Sequence, residues 1–421
     1  MTDEDAIRRA LRRILDAALA AADAGRALLP ALPERPKGRL VVAGAGKAAA
    51  AMAAALEQAW DGPLEGHVVT QAGYGRTLAR LRLTEASHPL PGLEAQAAAA
   101  ETLLRASLMG PDDLLLVLLS GGGSALWPAP RRPLTLEMKR SVTAALLLSG
   151  APIAEINVVR KHLSRIKGGR LAKSAGAGAI VACSVSDVPG DDPSLIASGP
   201  VSPDPSTLEE ARAILRARGV PLTDALAAVL DDPASESPKP GDPCFARVDY
   251  RIVLTPRDAL AAAAAASAAL GYEPILLGAD LEGEARQVGA AHAVLARDAA
   301  RAGRRTALIS GGELTVTVRG AGIGGPNREY ALGLALALDG AAGIAAIAAD
   351  SDGQDGAPGA AGAIVLPGTL ERARALGLDP AAALAANDTG RFFSRLGDEI
   401  VTGPTGTNVN DVRVIVIRPQ D

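Results

Sequence analysis

The chain has 421 residues, more than one ordinary hydrophobic core accommodates, so two or three domains are expected. Its 43 Lys and Arg against 47 Asp and Glu give a formal charge of −4, and only 2% of residues are aromatic. This composition excludes the basic field and the stacking platforms of a nucleic-acid-binding protein. No apolar run approaches the ~18 residues of a membrane span. The amino-terminal residues do not have the pattern of a signal peptide. The two cysteines and four scattered histidines form neither a disulfide framework nor a zinc motif, so a cytoplasmic protein is expected.

The first half of the chain alternates between strands and helices. After an amphipathic helix over residues 3–24, apolar runs predict strands at 39–43, 66–70, 81–84, 113–119 and 179–184. Helices are expected between the strands and over the periodic segments 134–149, 156–171 and 207–218. This alternation predicts a Rossmann-like α/β domain over residues 1–230, whose first helix is a candidate to dock on the other domain.

A second α/β domain is predicted after a break in the pattern. Residues 231–245 are rich in Pro, Ser and Asp and are predicted to be the linker, with the second domain over 246–421. Its strands are expected at 251–254, 273–277, 306–309, 314–318, 343–349 and 412–417. The predicted fold is therefore two α/β domains with largely parallel sheets, whose carboxyl edges face a central cleft as in a kinase.

The first glycine turn follows the strand at 39–43 and reads Gly44-Ala-Gly-Lys47. Its G-x-G-x-x-A pattern is weak evidence for a dinucleotide, because Glu65 only loosely matches the acidic residue expected about 20 positions on. Lys47 lies at a helix start, where its ammonium could meet an anion. A surface lysine is the plainer alternative.

Two further segments are candidates for binding an anionic substrate. Ser120, Gly121 and Gly122 follow the strand at 113–119, at the end of a parallel strand where open α/β sheets bind ligands. Residues 156–171 carry six basic side chains and no acidic one, and Arg160 and Lys161 are the first choices to hold an anion. The alternatives are a tight turn and a solvated face, respectively.

Aspartates follow two of the predicted strands. Asp187 and Asp191 follow the strand at 179–184, and Asp350 and Asp352 follow the strand at 343–349. Carboxylates in this position hold Mg²⁺ or orient a nucleophilic hydroxyl. They also form Asx-turns for local reasons. The two readings stay open at this point.

The stretch from Ser310 to Tyr330 combines a turn, an alternating segment and a glycine-rich loop that enters a helix. Such a loop exposes backbone N–H groups at the positive end of the helix dipole, which suits a phosphate. A tight connection that needs glycine is the alternative. The residues expected to hold nucleotide phosphates are Ser310, Gly311, Gly312, Glu313, Gly324, Gly325 and Asn327.

Taken together, the sequence resembles the glycerate 2-kinase family whose carboxyl-terminal half is called the MOFRL domain. The resembling segments are LSGGGS at 119–124, VRKHLSRIKGGRL at 159–171, SDVPGDDP at 186–193, IASGP at 196–200, ISGGE at 309–313, GGPNRE at 324–329, DSDGQDG at 350–356 and GPTGTNVND at 403–411. They span most of the chain in the family's order. The resemblance implies ATP-dependent phosphorylation of D-glycerate at its 2-hydroxyl to give 2-phosphoglycerate, with Mg²⁺ or another divalent cation.

The resemblance also implies roles for single residues. In this family, the lysine after the first glycine turn is proposed to act in catalysis, and it matches Lys47. Many members have Arg directly after the Gly-Gly pair of the later loop, whereas this chain has Pro326 there and Arg328 two positions on. Arg328 is therefore the candidate to replace that guanidinium. Asp187 or Asp352 would orient the hydroxyl, and the metal candidates are Asp187, Asp191, Asp350 and Asp352.

Two other classes of function stay open. An NAD(P)H-dependent hydroxypyruvate reductase, a label that some members of the family carry, would use the first glycine turn as its fingerprint. A non-catalytic binder of phosphorylated metabolites would use the Ser-Gly-Gly loops and tolerate loss of Asp187 and Asp352. Several acids at strand ends favour the enzyme. The expected partners are D-glycerate and ATP, with neither nucleic acid nor membrane, and the protein is expected to be a monomer or a homodimer.

Overall fold

The computed structural model describes residues 3–357 and 359–419, which form two compact units. The central unit comprises Ala24–Val253, and the terminal unit comprises Met1–Asp23 together with Leu254–Asp421. The first helix, α1 (Asp3–Ala21), belongs to the terminal unit. Within the described part of the chain, no helix is long and apolar enough to cross a membrane.

The central unit is built from six strands and nine helices. The strands are β1 (Leu40–Ala45), β2 (Leu64–Gln71), β3 (Arg82–Ala86), β4 (Leu114–Leu119), β5 (Ala179–Val185) and β6 (Val248–Leu254). The helices are α2 (Ala24–Leu28), α3 (Ala49–Ala59), α4 (Leu93–Ser107), α5 (Gly123–Leu126), α6 (Leu136–Leu148), α7 (Ile153–His162), α8 (Arg170–Ser174), α9 (Leu208–Ala217) and α10 (Asp224–Leu230). Short 3₁₀ turns occur at Leu29–Ala31, Pro189–Asp191, Ile196–Ser198, Pro233–Ser235 and Pro243–Arg247.

The sheet of the central unit has the strand order β3-β2-β1-β4-β5-β6. The pairings of β1 with β2 and β4, of β2 with β3 and of β4 with β5 are all parallel. All six residues of β4 are buried, as expected for an apolar strand covered on both faces. The strand order reverses between β1 and β4, and open α/β sheets bind ligands outside the carboxyl ends of the strands at such a point. The predicted Rossmann-like sheet is therefore confirmed.

A separate helical core lies beside this sheet. Helices α6, α7, α9 and α10 bury their apolar faces on one another rather than on the strands, through residues that include Val142, Leu146, Val159 and Leu215. The basic segment at 156–171 is not one helix. Because Gly168 and Gly169 adopt φ of 56° and 76°, the chain turns after α7 and before α8. Arg160 and Lys161 therefore lie in the last turn of α7.

The terminal unit contains the other six strands. They are β7 (Glu273–Gly278), β8 (Thr306–Ser310), β9 (Ile344–Asp350), β10 (Gly362–Val365), β11 (Glu399–Ile400) and β12 (Asp411–Ile417). The helices that join α1 are α11 (Pro256–Ala269), α12 (Ala285–Arg301), α13 (Pro326–Leu338), α14 (Thr369–Ala375), α15 (Pro380–Ala385) and α16 (Thr389–Leu396). The alternating residues 314–318 do not form the predicted strand. They contribute only an isolated bridge between Glu284 and Thr315.

The second sheet is mixed and departs from the parallel sheet expected for this part of the chain. Its order is β11-β10-β9-β12-β8-β7, and only β7 and β8 pair in parallel. The reason lies in the segment before β12. Ser351 N donates to Asn410 O at 3.1 Å, and Thr405 N donates to Asp352 O at 3.2 Å. These bonds hold the segment at the carboxyl end of β9, so β12 starts there and runs antiparallel to β9.

The division of the chain differs from the predicted domain limits. Strand β6 extends the sheet of the central unit. The chain therefore passes from the central to the terminal unit near residue 254 rather than at 231–245. The segment 231–245 packs on the central unit: Arg170 Nη2 donates to Ser235 O at 2.6 Å, and Leu208 N donates to Glu236 Oε2 at 3.0 Å. Helix α1 instead joins the terminal unit, where Arg8 pairs with Asp398 at 2.6 Å.

Candidate active site

Two turns meet where the strand order of the central sheet reverses. Lys47 N donates to Gly121 O at 2.9 Å, and Ala48 N donates to Ser120 Oγ at 2.9 Å. Gly46 has φ of 138°, and a Cβ there would lie 2.1 Å from Ser120 Oγ. Only glycine allows this approach. The turn after β4 therefore fixes the backbone around Lys47. The buried Ser120 hydroxyl accepts a hydrogen bond from that backbone and does not face an open pocket.

The side chains of Lys47 and His88 both lie close to Gly122. A Cβ on Gly122 would be 3.2 Å from His88 Nε2 and 3.5 Å from Lys47 Cγ. His88 follows β3, whereas Lys47 follows β1 and Gly122 follows β4. Three parallel strands thus bring an imidazole, an ammonium-bearing side chain and a glycine turn to one edge of the sheet.

A cavity of about 390 Å³ opens beside this turn. Its walls include His88, Gly122 and Ser124 from the sheet edge, with Lys139 from α6 and Arg160 from α7. None of the described residues that line it is acidic. The cavity thus lies between the sheet edge and the helical core, and the charged side chains that line it are basic.

Two of the cations that line this cavity, Lys139 and Arg160, have no acidic partner among the described residues, whereas Arg140 pairs with Glu137 at 3.4 Å. Lys139 is 7% exposed, and its Nζ has no hydrogen-bond partner among the described residues. Within that same part of the chain, Arg160 has neither a hydrogen-bond nor an ion-pair partner. Nearby, the buried Lys167 Nζ donates to Ser124 O at 2.6 Å. Buried charges are normally paired, so this cluster is suited to receive an anion.

The shifted pKa values of the cluster follow from this lack of acids. Burial, together with the charges of Arg160 and Arg170, lowers the pKa of Lys139 to about 7. Burial, with the charges of Arg160 and Lys139, holds the pKa of Lys167 well below its usual range. An anion bound among these groups would favour their charged forms. Groups with such shifts inside a cavity are typical of functional sites.

Strained backbone borders the same cavity. Ser124 Oγ and Ser198 Oγ are 2.7 Å apart. Ser198 follows Ala197 and precedes Gly199, and all three residues have positive φ, at 63°, 49° and 59°. Positive φ is uncommon for residues other than glycine, and such strain is concentrated at functional sites. The IASGP segment therefore shapes the wall of the cavity through Ser198.

Lys161 does not line this cavity, so the structure separates it from Arg160, the other residue predicted to bind the substrate. Its Nζ donates to Asp204 Oδ1 at 3.3 Å, and both side chains are buried. Asp204 also accepts from Ser206 Oγ at 2.7 Å. Arg160 and Lys161 project from different sides of α7, so only Arg160 faces the cavity.

The glycine-rich loop of the terminal unit enters α13, but its backbone N–H groups are already bonded. Asp355 Oδ1 accepts from Asn327 N at 2.8 Å, and Asp355 Oδ2 accepts from Arg328 N at 3.0 Å. Gly325 is packed against Asp355, since a Cβ there would lie 2.2 Å from its carbonyl oxygen and 2.5 Å from its Cγ. Asp355 thus occupies the position at Asn327 N and Arg328 N that a phosphate would take, and nucleotide binding by Gly324, Gly325 and Asn327 stays a prediction.

Arg328 is part of the same buried arrangement. Its Nε donates to Asp355 Oδ2 at 2.9 Å, and its Nη1 pairs with Glu399 Oε1 at 3.1 Å. The side chain is therefore engaged within the terminal unit. The contacts that the structure shows for Arg328 are internal to this unit, and its catalytic role stays a prediction.

The Ser-Gly-Gly turn after β8 also has internal partners. Ser310 is buried, and Arg413 donates through Nη1 to Gly311 O at 2.7 Å and through Nη2 to Gly312 O at 3.1 Å. Gly311 N donates to Gly278 O at 2.9 Å. The turn therefore binds a buried arginine through its carbonyl oxygens. Only the exposed Glu313 lies at the surface among the residues predicted to bind nucleotide here.

The chain is similar to several known proteins over nearly its whole length. The family model described as the domain of unknown function DUF4147 matches residues 10–231, and the MOFRL family matches residues 306–411. A protein of Agrobacterium vitis that is named as a hydroxypyruvate reductase is 50% identical over 417 residues, 97% of this chain and 94% of that protein. A D-glycerate 2-kinase of Thermotoga maritima is 35% identical over 423 residues, 99% of this chain and 100% of that protein. The crystal structure of a glycerate kinase from Thermotoga maritima matches with a TM-score of 0.89 and 35% identity, covering 98% of this chain and 100% of that one. The chain belongs to the glycerate 2-kinase family.

The aspartates that the family resemblance marks as metal candidates belong to both units. Asp187 and Asp191 follow β5 in the central unit, whereas Asp350 ends β9 and Asp352 follows it in the terminal unit. Asp352 N donates to Asp350 Oδ1 at 2.9 Å, and Gln354 N donates to Asp352 Oδ1 at 2.7 Å, as in Asx-turns. Among the described residues, no three His, Cys, Asp or Glu side chains are grouped to hold a metal ion.

The dinucleotide fingerprint also fails in this member of the glycerate 2-kinase family. Glu65 is the second residue of β2, at the edge opposite the turn with Lys47, roughly 20 Å away at ~3.3 Å per residue. Its carboxylate pairs with Arg39 at 2.9 Å and with Arg105 at 3.0 Å. It therefore cannot contact a ribose bound at the carboxyl ends of the strands.

Lys139, Lys167 and His88 are functional candidates of this family member that the sequence motifs do not single out. One signal was present for Lys139, which lies at helical spacing between Leu136 and Val142 on the buried face of α6. A lysine in an apolar stripe must either be paired or serve a ligand. His88 has no comparable signal, because only the fold brings it to Gly122.

Proposed function

We propose that the protein is an ATP-dependent glycerate 2-kinase, which transfers the γ-phosphoryl group of ATP to the 2-hydroxyl of D-glycerate. The products are 2-phosphoglycerate and ADP. One observation carries the proposal: the buried Lys139 and the half-buried Arg160, for which the described residues provide no acidic partner, lie on a cavity that adjoins the turn of Lys47. Relatives named as glycerate kinases over the full length of the chain support the same reaction.

The carboxylate of glycerate binds between Arg160 and Lys139 in this proposal. A guanidinium offers two parallel donors that match a carboxylate, and the lysine adds a point charge. Lys139 is buried and Arg160 is half-buried before the substrate arrives. Their attraction for an anion is therefore stronger than that of surface cations. Lys167 keeps Ser124 in place through its bond to the carbonyl oxygen.

Lys47 lies against the oxygens of the transferred phosphoryl group. Phosphoryl transfer depends on positioning and on neutralising the charge of the equatorial oxygens, with little covalent work for the protein. The ammonium starts from a turn that is fixed by Gly121 O and Ser120 Oγ. Donors fixed in advance stabilise the transition state without reorganising during the reaction.

Asp187 accepts the proton of the attacking 2-hydroxyl. Asp187 lies two residues after the end of β5. Strand β5 is two strands away from β1 in the sheet, and neighbouring strands are ~4.8 Å apart. The backbone that carries Asp187 is therefore on the order of 10 Å from that of Lys47. This separation leaves room for a three-carbon acid between the two side chains.

Mg²⁺ would accompany the nucleotide. This ion is usually held by one or two carboxylates together with substrate phosphates, so a larger protein cage is not required. Asp191, on the same loop as Asp187, is the residue that would hold it. Bound there, the ion would neutralise phosphate charge. A cytoplasmic setting fits an enzyme that draws on cellular ATP, and the monomer or homodimer stays a prediction.

Two assays on the purified protein separate the proposal from the reductase that one relative's name suggests. ADP release is measured with ATP, Mg²⁺ and D-glycerate, and NAD(P)H oxidation is measured with hydroxypyruvate. The Lys47→Ala variant, purified in parallel, serves as the control for contaminating kinases. We expect glycerate-dependent ADP release by the wild type only. NAD(P)H oxidation without ADP release would overturn the proposal.

A further inference from the structure

A second basic cavity lies in the terminal unit and takes no part in the proposed reaction. Its volume is about 420 Å³, and four arginines line it: Arg9 and Arg13 from α1, Arg305 before β8, and Arg418 after β12. Strands β8 and β12 are antiparallel, so Arg305 and Arg418 meet at the same edge of the sheet. None of the described residues around the cavity is acidic.

The arginines of α1 divide into two groups. Arg8 pairs with Asp398 at 2.6 Å, and Arg12 pairs with Asp16 at 2.8 Å. Arg9 and Arg13, which line the cavity, have no hydrogen-bond or ion-pair partner among the described residues. Because they are four residues apart, these two like charges lie on one helix face, where they repel each other. An anion between them would remove that cost.

One aromatic side chain positions the other two guanidinium groups. The Cζ of Arg305 lies over the ring of Tyr272, 4.7 Å from its centroid, and Arg418 Nε donates to Tyr272 Oη at 2.9 Å. Tyr272 itself is buried. Arg305 is held further by the bond from its Nη2 to Leu270 O at 3.2 Å. The cavity is thus built around a fixed residue rather than from mobile surface side chains alone.

We propose that this cavity binds a small molecule that carries at least two phosphate groups. Guanidinium groups bind phosphate oxygens through paired hydrogen bonds, and the charge of a di- or triphosphate matches several arginines better than a single carboxylate does. The volume lies in the range of small-molecule sites. The site is independent of the glycerate pocket, whose cations belong to the central unit.

Isothermal titration of the full chain with inorganic tripolyphosphate tests the proposal. We expect Arg9→Gln/Arg13→Gln to weaken one binding event by about tenfold or more, because two charge-assisted contacts are lost. Arg12→Gln is the matched control, since its arginine lies on the same helix but is paired with Asp16, and it should bind as the wild type does. Lys47→Ala should also keep this binding event, which separates it from phosphate binding at the reaction site.

A third variant tests the role of the aromatic ring. Tyr272→Phe keeps the ring under Arg305 but removes the hydroxyl that holds Arg418, so we expect affinity to fall by about threefold or more. Circular dichroism establishes that each variant is folded. Wild-type affinity in Arg9→Gln/Arg13→Gln, or loss of the only binding event in Lys47→Ala, would overturn the proposed site.

Discussion

Arg328 binds Asp355 through three of its own atoms. Its N and Nε donate to Asp355 Oδ2 at 3.0 and 2.9 Å, and its Nη2 donates to the Asp355 carbonyl oxygen at 2.6 Å. Both side chains are buried. The pair joins the start of α13 to the loop after β9. We infer that it stabilises the terminal unit rather than contacting substrate.

Loss of this arginine should therefore lower stability. Arg328→Met leaves the Asp355 carboxylate buried without its counter-charge, which costs about 3–5 kcal/mol in comparable pairs. Denaturant unfolding measures the change, and Arg328→Met/Asp355→Leu should recover part of it because neither charge is then left alone. A variant with wild-type stability but a kcat reduced by orders of magnitude would instead support a catalytic role.

The same pair occupies part of the phosphate loop that is predicted from the sequence. A glycine-rich loop that enters a helix indicates an anion at the helix N-terminus. The sequence does not show which anion. Here it is supplied by Asp355, 28 residues after Asn327 in the chain. Local patterns found the loop and α13, and only the tertiary fold decides what fills the site.

Arg160 is expected to govern affinity for the acceptor. Arg160→Gln should raise the KM for D-glycerate by at least about tenfold, since a charge-assisted contact is worth roughly 1.5–3 kcal/mol. The KM for ATP should change little. Arg165→Gln is the matched control, because Arg165 is a basic residue of the same segment whose Nε donates to Pro130 O and which does not line the cavity. Steady-state kinetics with each substrate varied will measure both effects; equal KM values in the two variants would contradict this assignment.

Lys139 should make stability depend on pH. Burial and the neighbouring arginines lower its pKa from 10.5 to about 7 in the folded protein. Between these values the unfolded chain binds more protons than the folded chain, so this lysine makes the free energy of unfolding rise as pH increases from about 7 towards 10. Denaturant unfolding at several pH values should show this rise in the wild type.

The matched variant is Lys139→Met, which keeps a long apolar side chain and removes the titrating group. Its free energy of unfolding should rise less over the same pH range. The KM for D-glycerate should also rise above about pH 7 in the wild type, because the neutral amine no longer attracts a carboxylate. Identical pH profiles of stability in the two proteins would show that Lys139 does not titrate in this window.

Lys47 should act on the transition state more than on substrate binding. Lys47→Ala is expected to lower kcat by about 10²–10³, the usual cost of one fixed donor to a developing charge. The KM for D-glycerate and the unfolding midpoint should change little, since the side chain is only half-buried. Lys37→Ala is the control, because Lys37 is an exposed lysine at the opposite end of β1. A near-normal kcat for Lys47→Ala would contradict the role of this residue.

In the central unit, local sequence patterns predict the strands and turns but not every residue of the cavity. Apolar runs and glycine turns located β1, β4 and β5, and parallel strands bring their carboxyl ends together, so the sequence predicts that Lys47 and Gly122 lie at one edge of the sheet, where the structure also has them. Lys139 was not predicted, because it reaches the cavity only through the packing of α6 beside α7. The choice between Arg160 and Lys161 depends likewise on which side of α7 faces the cavity.

The mixed sheet of the terminal unit was missed for a related reason. Strand β12 reads as an ordinary buried strand, and its direction is set by the preceding segment, which bonds to the loop after β9. Such contacts between distant parts of the chain leave no local pattern. The boundary of the central unit was misplaced because polar residues at 231–245 pack through hydrogen bonds rather than through apolar side chains.

The central claim is phosphorylation at the 2-hydroxyl, and the position of the new phosphate tests it most directly. The purified protein is incubated with ATP, Mg²⁺ and D-glycerate, and enolase is added without a phosphoglycerate mutase. Enolase acts on 2-phosphoglycerate, so we predict immediate formation of phosphoenolpyruvate in step with ADP release. ADP release that enolase alone cannot follow, but that a mutase restores, would place the phosphate on the 3-hydroxyl and contradict the account.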